Sequence, residues 1–200
     1  RESGTIHSND GEVHEHDCRF TFKTTRAYAF CKLVYVFTDK PYKSFGFLAN
    51  AFYVKDNVVL GPTQYQAEQQ SAYGSMIYQS RIGSETHSFK TGLNVQYDNF
   101  DEFLSANSAF FKRVETVAGG FFEYTLKTGR TVLVAGLRAD HNTLFGNFIT
   151  PRLHYKYMLT ESTALRLSGG RGQRTANVVS ENLGYFASSR QLNIIQSYNK

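Results

Sequence analysis

The sequence predicts an all-β chain, an antiparallel up-and-down sheet of the kind that curves into a transmembrane β-barrel. Three observations predict it. Apolar and polar residues alternate with period 2 from about residue 19 to about residue 168, and helical periodicity is almost absent. The 200 residues include 17 Phe and 13 Tyr but only 3 Pro and 20% charged residues, a mixture that favours strands and excludes a disordered tail, a collagen-like chain or a coiled coil. Candidate strands at 43–54 and 86–98 are about a dozen residues long, enough to cross a bilayer at a ~45° tilt.

Each element has its own pattern. Segments 19–23, 26–37, 43–54, 70–80 and 110–127 alternate, though less cleanly than the rest. The clearest is 88–98, where Phe89, Thr91, Leu93, Val95 and Tyr97 share one face and Ser88, Lys90, Gly92, Asn94, Gln96 and Asp98 share the other. Segment 131–140 sets Leu133, Ala135, Leu137 and Ala139 against Val132, Val134, Gly136 and Arg138. Segment 152–159 sets Leu153, Tyr155, Tyr157 and Leu159 against Arg152, His154, Lys156 and Met158, and 162–169 sets Leu165 and Leu167 against Ala164, Arg166 and Ser168. Turns fall at 39–43, 61–64, 81–86, 127–130, 141–147 and 160–163, where Gly, Pro, Asn, Asp, Ser and Thr gather. The turns at 127–130 and 160–163 are short, while 55–69 and 99–109 read as long loops at the opposite end. Short turns on one side and long loops on the other are the habit of outer-membrane barrels.

Other classes fare worse. No run near ~20 apolar residues exists and the mean hydropathy is −0.39, which excludes a helical membrane span but not a β-barrel. A soluble sandwich or lipocalin-like barrel also alternates. Its interior would be apolar, whereas the polar faces here carry Lys, Arg, His, Asn and Gln among small Gly and Ser. The net charge of +5 is mild and scattered, giving no case for nucleic acid. The chain opens with no charged region before an apolar core, so residue 1 reads as a processed end or the edge of a fragment.

Two longer stretches carry a family likeness: SAYGSMIYQSRIGSETHSFKTGLNVQYD at 71–98, and 121–190, which includes FFEYTLKTG and VLVAGLRADHNTLFGNFITPRLHYKYMLTESTALRLSGGRGQRT. With DKPYKSFGFLANAFY near the start, these resemble the TonB-dependent receptors of Bacteroidetes-type outer membranes. The resemblance implies a 22-stranded barrel closed by an N-terminal plug, importing scarce ligands with energy relayed by TonB. About 9–11 strands in 200 residues cannot close such a cylinder. The whole of 1–200 is therefore expected to be an internal part of one barrel domain, with plug and remaining strands elsewhere, because an open arc leaves unpaired edges in lipid. The implied partners are outer-membrane lipid, the TonB system, an imported solute such as a metal chelate, siderophore, haem or vitamin, and a surface lipoprotein. No cofactor and no enzymatic activity are expected. A small self-contained barrel of structural or adhesive role and a soluble β-barrel carrier are the competing readings.

On this reading Lys90, Asn94, Gln96, Arg138, Arg152, His154, Lys156 and Arg166 face the lumen, contact the plug and line a partly cationic passage. Phe45, Phe47, Tyr53, Tyr97, Phe122, Tyr124, Tyr155 and Tyr157 face lipid, those near strand ends forming aromatic girdles. Loops 55–69, 99–109 and 141–147, with 175–190, would capture the ligand. Gly169, Gly170 and Gly172 in SGGRGQRT lack the GK[ST] of a phosphate loop and read as a strand end with a basic turn. His14, His16 and Cys18, with His7, alternate as metal ligands do, but lack a fourth ligand at motif spacing and read as surface-loop residues. Cys18 and Cys31 are equidistant from Thr24 and Thr25. A hairpin there would place them opposite one another, as a disulfide or as two free thiols.

Overall fold

A computed structural model describes residues 2–6, 18–60, 63–105, 108–176 and 181. Its nine strands are β1 (Glu2–Ile6), β2 (Cys18–Val36), β3 (Ser44–Leu60), β4 (Thr63–Arg81), β5 (His87–Leu104), β6 (Ala109–Thr128), β7 (Thr131–Asn142), β8 (Gly146–Met158) and β9 (Ala164–Gly170). They form one antiparallel sheet in which every strand pairs only with its neighbours in sequence, in the order β1 to β9. This is the predicted up-and-down meander, an open arc of a barrel.

Strands β2 to β6 run 17 to 20 residues, nearly twice the ~9–11 that a tilted transmembrane strand needs. The turns at 37–43, 82–86, 129–130 and 159–163 share one end of the sheet; the hairpins β3–β4, β5–β6 and β7–β8 turn at the other. Gly129 takes φ +43°, a left-handed conformation that a residue without Cβ adopts freely, and this lets a two-residue turn join β6 to β7. Asn142 closes β7 with an Asx turn, its Oδ1 accepting from Leu144 N at 2.8 Å and Phe145 N at 3.2 Å.

The registers fix two faces. Phe45, Tyr78, Thr91, Phe122 and Leu137 lie side by side across β3 to β7, and the next row is Phe47, Met76, Leu93, Gly120 and Ala139. Ring pairs tie this apolar face together: Phe45–Tyr78 at 6.2 Å, Tyr78–Phe89 at 5.9 Å and Phe89–Phe122 at 5.8 Å. Leu93 is 67% exposed on it. The opposite face carries the polar members of each strand.

Towards the far ends of β3 to β6 the polarity of the two faces reverses. On the formerly apolar face, Lys55, Glu68, Asp101 and Lys112 form one row across four strands, with Lys55–Glu68 at 3.7 Å and Lys112–Asp101 at 3.4 Å. On the other face Val58, Tyr65 and Leu104 are at most 2% exposed, and Phe22, Leu60, Ala67 and Phe111 pack around them. Tyr65 Oη donates to Glu102 Oε1 at 2.5 Å, so its buried hydroxyl is satisfied.

Three expectations change. Segments 55–69 and 99–109 are not long loops: apart from the turns, they are the paired ends of β3–β4 and β5–β6 around this small core. Segments 19–23 and 26–37 are one strand, so Thr24 and Thr25 make no turn but pair with Asp56 and Lys55. Cys18 and Cys31, thirteen positions apart on β2, are therefore roughly 43 Å apart and cannot bridge one another; Cys31 is free and exposed. His7, His14 and His16 lie outside the described residues, as does most of 175–190.

Leu104→Ala opens a cavity in that core and should cost about 2–5 kcal/mol in urea unfolding of the full-length protein in lipid vesicles. Leu93→Ala, at an exposed position, should cost well under that.

Candidate functional site

The site is the polar face over β4 to β8, together with the segment that follows β9. Alternation sends Ser71, Asp98, Glu115, Asp140 and Asn142 to this face from four strands, and the registers bring them close: Ser71 pairs with Asp98, Asp98 with Glu115, and Gly119 with Asp140. Gly119 is required here. A Cβ on it would lie 1.9 Å from Asp140 Oδ1 and 2.8 Å from the Ala139 carbonyl, so only glycine lets the Asp140 carboxylate lie over β6.

Each carboxylate is held. Asp98, 7% exposed, accepts from Ser71 Oγ and from Gln96 Nε2 at 2.6 Å. Glu115, 5% exposed, accepts from Asn142 Nδ2 at 2.6 Å and Thr175 Oγ1 at 2.8 Å and faces Arg113 Nε at 3.7 Å. Asp140 Oδ2 accepts from Arg138 Nε at 2.6 Å. Glu123 takes Arg152 on one oxygen and faces Lys90 Nζ at 3.9 Å on the other. The Arg113 guanidinium sits 4.4 Å over the Phe100 ring. The charges come in pairs, which lowers the cost of burying them, although Asp140 Oδ1 and Arg113 Nε are buried without a hydrogen-bond partner.

Two adjoining cavities open on this face. The first, about 500 Å³, lies among Asp98, Arg113, Glu115, Arg138, Asp140 and the 171–175 segment. The second, about 320 Å³, is lined by Arg138, Arg152 and Arg171 with Thr150 and Phe121. Among the described residues no group of three or more His, Cys, Asp or Glu is placed to hold a metal ion. Carboxylates and guanidiniums together suit recognition of a polar, charged solute.

All eight sequence-predicted site residues lie on the polar face. Lys90 and Arg152 meet at Glu123, and Gln96 and Arg138 border the larger cavity. Asn94 is 6% exposed, with no hydrogen-bond partner for its amide. His154, Lys156 and Arg166 stand apart at the short-turn end, Lys156 beside Arg166 across β8 and β9. The sequence reading passed over Glu115, Glu123, Asp140 and Arg113. The alternation marked their face, but not that they converge across strands.

Glu115→Ala strips Asn142 and Thr175 of their acceptor and leaves Arg113 without its counter-ion. It should destabilise the full-length protein by about 3–5 kcal/mol in urea unfolding, and Glu115→Gln by less, since an amide oxygen still accepts from Asn142.

Comparison with solved structures finds the unliganded crystal structure of the ferric citrate transporter FecA, with a TM-score of 0.54 and 15% identity over 76% of this chain. At that identity the likeness concerns the fold. The match covers 28% of the transporter's length. Comparison with curated proteins gives no match. A family model for the TonB dependent receptor-like β-barrel matches residues 5–199. Nearly the whole chain fits that model, so the chain belongs to the TonB dependent receptor-like β-barrel family.

Proposed function

We propose that this chain forms part of the wall of an outer-membrane receptor that imports a scarce solute using energy relayed by TonB. The observation that carries the reading is the division of the sheet into an apolar face and an opposite face of paired charges and cavities. On β5 the apolar rows from Phe89 to Tyr97 cover roughly 30 Å of strand, about 20 Å of membrane at ~45° tilt. The charged row Lys55, Glu68, Asp101 and Lys112 lies just beyond, where the face returns to water. The short turns then face the periplasm and the long hairpins the outside.

The polar face is the lumen wall. Lys90, Asn94, Gln96, Arg138, Arg152, His154, Lys156 and Arg166 line it and contact a plug supplied, with the remaining strands, by other parts of the same molecule. Closure by those strands satisfies the open edges of β1 and β9, which lipid cannot. Arg138, Arg152 and Arg171 around one cavity favour an anionic solute such as a metal chelate, and one structural neighbour is a ferric citrate transporter. The wall moves the solute without chemistry on it. Outer-membrane lipid, TonB acting through the plug, and a surface lipoprotein at the hairpin end complete the partners.

The test is uptake of labelled iron, offered as ferric citrate, by cells carrying the full-length receptor with Arg152→Gln, Lys156→Gln and Arg166→Gln together. Loss of three lumen cations should lower uptake about tenfold or more at unchanged receptor abundance. Unchanged uptake together with unchanged retention of the plug would refute the assigned lumen role.

A further inference from the structure

After Gly170 the chain leaves the ladder. Arg171 N still donates to the Pro151 carbonyl at 3.0 Å. The next residues then cross the polar faces of β8 and β7 to reach β6, where Thr175 Oγ1 donates to Glu115 Oε1 at 2.8 Å and Arg113 Nη1 donates to the Ala176 carbonyl at 3.0 Å. Between this segment and the sheet lies the cavity of about 500 Å³, with Arg171, Gln173 and Thr175 on one wall and Asp98, Arg138 and Asp140 on the other.

Among the described residues, little ties the crossing to the sheet beyond its first and last contacts, and Arg174 pairs with Glu181 at 2.6 Å rather than with a strand. The segment RGQRTA has no large apolar side chain to bury, 171–174 are exposed, and a Cβ on Gly172 would meet nothing within 4 Å. Among the described residues its grip on β6 is two side-chain hydrogen bonds. The groups it grips do not depend on it: without it Glu115 keeps Asn142 and Arg113, and Arg113 keeps the Phe100 ring. A segment with few buried contacts belongs to the low-stability end of local opening. Release leaves no buried carboxylate orphaned, so the floor of the cavity survives it.

We propose that 171–176 is a displaceable strap, latched to Glu115 and Arg113 on β6, that roofs the larger cavity and swings away to open it. The proposal rests on reading the polar face as a water-filled passage, and the experiment separates the two. In full-length receptor in outer membranes, with Cys18→Ser and Cys31→Ser as background, Thr150→Cys is placed in the strand lining of the cavity, which Arg171 also lines. Tyr28→Cys serves as a control on the same face, four strands from β6 and 67% exposed. The readout is the rate of modification by a charged, membrane-impermeant methanethiosulfonate.

Each latch variant, Thr175→Val and Arg113→Gln, should speed labelling of Thr150→Cys several-fold, and the two together about tenfold or more, with Tyr28→Cys unchanged. Equal Thr150→Cys rates with and without the latches, while Tyr28→Cys labels, would overturn the strap. If neither cysteine labels in the membrane although both label after denaturation, it is the passage itself that fails.

Discussion

Because every strand of this sheet hydrogen-bonds only to its neighbours in sequence, register decides which side chains share a face, and nearly everything else about the molecule follows from that constraint. A one-residue slip in β5 would carry Leu93 and Val95 to the polar face and Asn94 and Gln96 to the apolar one. It would also part Asp98 from Ser71, so this buried carboxylate would lose a donor that makes its burial tolerable. The apolar surface and the polar network thus specify the same register from opposite sides of the sheet. The glycines agree with it: Asp140 fits over β6 only where Gly119 stands.

The distribution of burial is inside out relative to a water-soluble protein. Among the described residues the fully buried apolar set is Val58, Tyr65 and Leu104, while Ser71, Ser75, Ser80, Asn94, Asp98, Glu115 and Asn142 are buried and polar. Leu33, Leu93, Leu137 and Leu153 are more than half exposed. An exposed apolar band is costly in water and costs nothing in lipid. The reversal at the far ends of β3 to β6 fits the same reasoning. Where the outer face meets water it carries Lys55, Glu68, Asp101 and Lys112, and the inner face gathers a small core that keeps the long hairpins standing without lipid support.

That reversal also marks how far the sequence could be read. Segment 88–98 was legible because its two faces keep one polarity from end to end. Above it the pattern changes sign, with Asp101 outside and Leu104 inside, and a period-2 reading that expects constant faces sees a loop where the strand continues. Thr24 and Thr25 misled for a related reason: two small polar residues midway between cysteines resemble a turn, but in β2 they are ladder positions opposite Asp56 and Lys55. For the site, alternation named Lys90, Arg138 and Arg152 as members of one face. It could not name Glu123 as the partner of Lys90 and Arg152, since neighbours across strands depend on registers that alternation within one strand does not carry. The contact of Thr175 with Glu115 spans three strand spacings and leaves no local signature.

The central claim is that the outer face of β5 passes from lipid to water between Tyr97 and Asp101. Nitroxide labels placed singly at 91, 93, 95, 97, 99 and 101 in the full-length receptor in lipid vesicles, with the native cysteines removed, measure this by spin resonance. The account predicts that collision with oxygen peaks at 93 and 95 and that collision with a water-soluble nickel complex rises sharply from 99 to 101. Uniform access of the nickel complex along the whole series would contradict it.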